Sequence, residues 1–196
     1  MGQHRRDHLI GCPARLIDTL ESVTELHRRA TGCLQEAGWT REQPRPTEDT
    51  LPSALRTAPE TMIRWVSSFS KMSSSDDTVW FLSRDDYSAR TDSAFAWNEL
   101  EQMSIQAATT DDEAIAVSRF WQRHLPILLS VRHGYEYLAV RDDGAVVHGT
   151  EPEFEDAVVV FSHFDDLLRY IITRPEAREH VVERLLFDAP ASPTRR

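Results

Sequence analysis

An α+β fold is the class this sequence predicts: a single domain whose central, mostly antiparallel sheet is flanked by N-terminal and C-terminal helices. Three observations predict it. Apolar residues recur at three- and four-residue steps near both ends of the chain, the helical period. Between residues 127 and 161 the pattern changes to short β-branched and aromatic runs joined by short polar connections. One of those connections, Asp142-Asp143-Gly144, is a strong hairpin signal, because glycine tolerates positive φ and aspartate bonds its own neighbouring backbone. At 196 residues the chain is long enough for one domain with a proper core. The domain is placed at residues 1–188, and residues 189–196 have the composition of a disordered C-terminal tail.

The elements follow in order. Residues 13–37 read as a long amphipathic helix, with Leu16, Leu20, Val23, Leu26, Ala30 and Leu34 on one stripe and Gly38 as its stop. The polar stretch 40–50, with Pro44 and Pro46, reads as a loop. A second helix starts near Pro59, buries Met62, Ile63, Val66 and Phe69, and ends in the polar run 73–77. Residues 78–83 read as a strand. Two more helices are expected at 95–108 and 112–124. The latter has the capping-box spacing Thr110…Glu113 and a core stripe of Ile115, Val117, Phe120 and Trp121 with Ala116. Pro126 ends it. Strands are then expected at 127–131, 135–141, 145–148 and 157–161. Ser162 reads as the cap of a helix with Asp165 at the reciprocal position and Phe164, Leu167, Leu168, Ile171 and Ile172 on its apolar face. Pro175 opens a last helix carrying Ala177, Val181, Val182 and Leu185.

Composition narrows the function classes. Hydrophobic content of 40% and charged content of 28% are ordinary for a soluble protein. The longest apolar run, near 125–131, is far too short to span a bilayer. The N-terminus has no apolar stretch of signal-peptide length, and Arg6 stands where myristoylation needs a hydroxyl, so a cytoplasmic location is expected. Cys12 and Cys33, at either end of one expected helix, would lie about 30 Å apart, too far for a disulfide. Formal net charge is −10. It is concentrated in one stretch, where Glu136, Asp142, Asp143, Glu151, Glu153, Glu155, Asp156, Asp165 and Asp166 are opposed only by Arg141. A field of one sign repels nucleic acid and attracts basic protein surfaces.

The residues that could carry chemistry are few. There is no G-x-S-x-G, no G-x-x-x-x-G-K and no H-E-x-x-H, so no nucleophile elbow, phosphate loop or zinc pair is written in the sequence. His124, His133, His148 and His163 sit on or beside different elements with no helical ligand spacing, and no metal or other cofactor is expected. Asp142-Asp143-Gly144 lacks the twelve-residue calcium-loop spacing and reads as a turn. Tyr135 and Tyr137 lie beside the acidic cluster and are of the type enriched at binding hot spots; Trp121 reads as core. In the strand, Tyr135 and Tyr137 share one face while Glu136, Leu138 and Val140 share the other.

Three segments carry a family resemblance. Leu51-Pro52-Ser53-Ala54-Leu55 leads into an early helix. His133-Gly134-Tyr135-Glu136-Tyr137-Leu138-Ala139-Val140 is followed by Asp143-Gly144-Ala145-Val146. Val159-Val160-Phe161-Ser162-His163-Phe164-Asp165-Asp166-Leu167-Leu168 makes a strand-to-helix step. In these the chain resembles the SUKH superfamily, which contains the Smi–Knr cell-wall regulators and many bacterial immunity proteins of polymorphic toxin systems. The resemblance implies a non-enzymatic protein-binding module, an immunity or antitoxin protein that neutralises a cognate toxin domain. The expected binding residues are Glu136, Asp142, Asp143, Glu151, Glu153, Glu155 and Asp156 with Tyr135 and Tyr137, and the expected partner is a basic toxin domain. A regulatory scaffold of the same fold and an uncharacterised hydrolase are the alternatives.

Overall fold

In the computed structural model, Ser22 has extended backbone and its hydroxyl accepts the Glu25 amide, so the first helix, α1, covers Val23–Glu36. The structure describes residues 22–46, 50–88, 96–175 and 180–188. Position 13 was the expected helix start; the Ser22 cap moves it to Val23, and Leu16, Leu20 and Cys12 lie outside the described residues. The stripe Leu26, Ala30 and Leu34 is buried as the periodicity predicts, and Gly38 follows the helix at φ +92°.

Two short strands stand where none was expected, one in the expected loop and the other at the end of the expected second helix, which stops at Val66 and does not run on to residue 73. β1 (Thr40–Glu42) pairs antiparallel with β2 (Lys71–Ser73), which lies at the start of the serine run. Three-residue strands held by main-chain bonds, β1 at the sheet edge and β2 next to it, have too few side chains to show an alternation. Between them, α2 (Glu60–Val66) buries Met62, Trp65 and Val66. Phe69 lies beyond that helix but is buried against Trp65, their ring centroids 5.7 Å apart. β3 (Val79–Phe81) stands where a strand is predicted.

The pair α3 (Glu99–Ala107) and α4 (Asp111–Trp121) brings a correction. The Thr110–Glu113 capping box forms as the spacing predicts. The expected core stripe forms only in part: Trp121 is in the core and Val117 and Phe120 are half-buried against it, while Ile115 and Ala116 are exposed. Of α4 only Trp121 is buried, and Ile115 is 47% exposed. This helix packs on α3 and meets the sheet beside β4, so the part of its apolar stripe at Ile115 and Ala116 has no surface to cover.

The remaining strands are β4 (His124–Ser130), β5 (Glu136–Arg141), β6 (Val146–Thr150) and β7 (Val158–Phe161). Pro126 lies inside β4 at a register shift between Pro126 and Leu128, a bulge where the missing amide is tolerated. The Asp142–Gly144 turn joins β5 to β6, with Gly144 at φ +89°. α5 (Phe164–Thr173) is preceded by His163 at the cap position, one residue after the expected Ser162, and buries Phe164, Leu167, Leu168, Tyr170, Ile171 and Ile172. α6 (Val181–Phe187) starts after His180, whose ring nitrogen accepts the Val182 amide; Ala177 lies outside the described residues, as does the expected tail at 189–196.

All seven strands run antiparallel in the order β1-β2-β3-β4-β5-β6-β7, a meander. With helices beside this sheet, the fold is α+β. Residues directly opposite on neighbouring strands share a face. Phe81, Leu128 and Leu138 are so aligned, and Phe81 meets Trp65 of α2 and Trp39. Trp65 in turn meets His27 of α1 and Phe164 of α5. That face therefore carries the helical layer. Trp80, Leu129, Tyr137 and Gly149 are aligned on the opposite face, closed over Tyr137 by Trp121 and Phe154. The buried apolar residues of helices and strands form one continuous cluster.

Candidate protein-binding face

The nine residues expected to form one binding face separate into three groups. Glu136 and Tyr137 leave the surface altogether. Glu136, on the helical face of β5, is 5% exposed and is bonded by two guanidinium nitrogens of Arg184 from α6, one at 2.8 Å, and by the His148 ring at 3.0 Å. Burial alone would raise its pKa, but the Arg184 and His148 hydrogen bonds prevail and hold it at about 2. Tyr137, on the other face, is fully buried: its hydroxyl donates to the Phe154 carbonyl at 2.5 Å and its ring lies over Gly149 on the neighbouring strand. Burial, with the Glu155 charge, pushes the Tyr137 hydroxyl's pKa far up. The expectation that these two residues contact a partner is corrected. The alternation placed them on opposite faces correctly, but both faces are covered at this point of the sheet.

Asp142 and Asp143 are exposed at the β5–β6 turn and each holds an arginine. Arg123 donates to Asp142 at 2.7 and 3.2 Å, and Arg141 to Asp143 at 2.9 and 2.6 Å. Arg123 lowers the Asp142 pKa; Arg141, helped by the Ala145 amide, brings Asp143 to about 2. Their charge is locally balanced, which makes them weak attractors for a basic partner. Beneath the turn lies a cavity of about 230 Å³ lined in part by Met62, Trp97, Trp121 and Leu125.

The third group is the β6–β7 loop. Glu151, Glu153 and Asp156 are exposed, with no ion pair among the described residues. Phe154 between them is buried, and the Glu155 carboxylate accepts the Trp121 indole N–H at 2.8 Å. The loop is thus pinned at two consecutive positions, Phe154 and Glu155, while Glu151, Glu153 and Asp156 stay exposed around them. Glu155 is half-buried and serves this anchor, with Trp121 in the core as the sequence predicts. The Glu151 amide donates to the Tyr135 carbonyl at 2.9 Å, placing the half-buried Tyr135 at the base of the loop.

Two features had no sequence signal. Arg123 and Arg184 meet their carboxylates across 19 and 48 residues, distances that only folding closes. Val158 and Val159, directly after the acidic loop, are 57% and 52% exposed on the last strand of the sheet. The four histidines are dispersed: His124 stacks on Phe120, His148 serves Glu136, His163 faces Asp166 at 3.5 Å, and His133 is exposed.

No helix among the described residues is long and apolar enough to cross a membrane. Comparison of the chain with protein-family models, with curated proteins and with solved structures finds no match.

Proposed function

We propose that this chain is a non-enzymatic, cytoplasmic protein-binding module of SUKH type, an immunity or antitoxin protein that neutralises a basic toxin domain by occluding it. The observation that carries the reading is the β6–β7 loop, where Glu151, Glu153 and Asp156 stand exposed without ion pairs on a segment anchored by Phe154 and Glu155. Anchoring supports binding because an ordered loop loses less conformational freedom when a partner docks. Unpaired exposed acids accelerate encounter with a basic surface, and an acidic partner competes directly with the polyanionic substrates such surfaces hold. The segments resembling the SUKH superfamily flank this loop on both sides.

The test is co-expression with a toxin domain encoded beside the gene, followed by isolation of the complex. The expected result is host survival with a stable one-to-one complex. Reversing Glu151, Glu153 and Asp156 to lysine should slow association about tenfold or more at low salt and much less at high salt. Survival without a complex, or an unchanged association rate, would remove this reading and favour a regulatory scaffold for another partner.

A further inference from the structure

The two edges of the sheet are built differently. β1 is three residues long and carries Arg41 and Glu42, charges of the kind that keep natural edge strands from recruiting another strand. β7 is Val158-Val159-Val160-Phe161, with neither a charge nor a proline, and among the described residues it pairs only with β6. Two of the four large apolar residues exposed among the described residues are its neighbours Val158 and Val159. Phe161 is held by stacking on His180 and a tilted ring contact with Tyr170, and the register shift at Val160 sits next to it. The open part of the edge is therefore the run from Ala157 to Val159. Acidic residues lie on both sides of it in the chain. Glu153 and Asp156, before the strand, are exposed and without an ion pair among the described residues. Asp165 and Asp166 follow in the first turn of α5, where Asp166 is already held by Arg169 at 3.1 Å and contributes less.

We infer that β7 receives an extended segment of the basic partner as an eighth strand, its main chain completing the ladder and its lysines or arginines meeting the flanking acids. This rests on the binding role proposed above and specifies its mode. Main-chain hydrogen bonds supply affinity in such strand addition, while side chains on alternate positions supply selectivity. Charge selects the occupant. A second copy of this chain, itself at −10, would bring acids against acids, whereas a segment with basic residues around a β-branched centre matches both the valines and the carboxylates.

A capped nonapeptide of alternating lysine and valine is the probe, titrated into the full chain while amide shifts and hydrogen exchange are read residue by residue. The expected result is exchange about tenfold slower at amides in 157–160 and unchanged at β1. A peptide of alternating glutamate and valine should produce no slowing. The double variant Val158→Lys with Val159→Lys should abolish the effect, and Val158→Thr with Val159→Thr, which keeps strand propensity, should retain it. Absence of protection, protection at β1 instead, or an equal response to the acidic peptide would overturn the inference. So would a dimer by sedimentation that the lysine variant dissolves, since the edge would then belong to a second copy. With a toxin partner in hand the two proposals separate: weakening by charge reversal at Glu151, Glu153 and Asp156 but not by the lysine pair overturns strand addition and leaves the acidic-loop reading. Insensitivity to both removes both.

Discussion

At Glu136, burial and pairing act in opposite directions on one carboxylate, and pairing prevails. The pKa falls from 4.5 to about 2, so folding favours the charged form. A depressed carboxylate pKa contributes stability that is present above about pH 4.5 and is lost as the pH falls toward 2. Glu136→Gln should therefore cost about 2 kcal/mol at neutral pH, because Arg184 and His148 lose a charged acceptor while Arg184 stays partly solvated. Urea midpoints taken at neutral pH and near pH 3 check this, and the gap between variant and parent should narrow at the acid end. Gly149 offers a second residue-scale test. A β-carbon there would collide with the Tyr137 ring, which is fully buried and tied to Phe154. Gly149→Ala should cost about 1–3 kcal/mol by thermal melting, although alanine suits a strand better than glycine. Glu136 was legible as an acid and Gly149 as a glycine, but neither role was, since each depends on a neighbouring strand or helix.

At the scale of elements, periodicity succeeds where the element has something to cover. The α5 stripe and the Leu26, Ala30 and Leu34 part of the α1 stripe are buried where the sequence places them, because both helices lie in the layer over one face of the sheet. α4 has an equally legible stripe and buries only its last residue, since its neighbours are α3 and the start of β4. Ile115→Gln should accordingly change stability by less than about 0.5 kcal/mol. Trp121→Ala should cost about 3–5 kcal/mol, because it opens a cavity beside Tyr137 and releases Glu155. Denaturant titration of the two variants tests whether α4 is held only through its C-terminal end. The short strands β1 and β2 were not legible for a related reason: main-chain pairing over three residues asks little of the side chains.

At the scale of the whole molecule, helices and strands contribute to one buried cluster. Unfolding should therefore be a single cooperative event, with tryptophan fluorescence and far-ultraviolet circular dichroism giving the same urea midpoint. Separated midpoints would show that the helical layer comes away from the sheet. The sequence by itself determined the α+β class, the turn at Asp142–Gly144, the capping box on α4, the buried faces of α1 and α5 and the excess of acid in the latter half. These are local properties, decided by side-chain period, backbone preference and composition within a few residues. Only the tertiary structure decided which acids face solvent without partners. Most of the partners are brought by elements far away in the chain: Arg184 removes Glu136 from the surface, Arg123 balances Asp142, and Trp121 turns Glu155 into an anchor, while Asp143 is balanced locally by Arg141. What remains is the loop of Glu151, Glu153 and Asp156 beside an uncharged edge strand. A charge acts on a partner according to what surrounds it in space, and sequence distance does not record that.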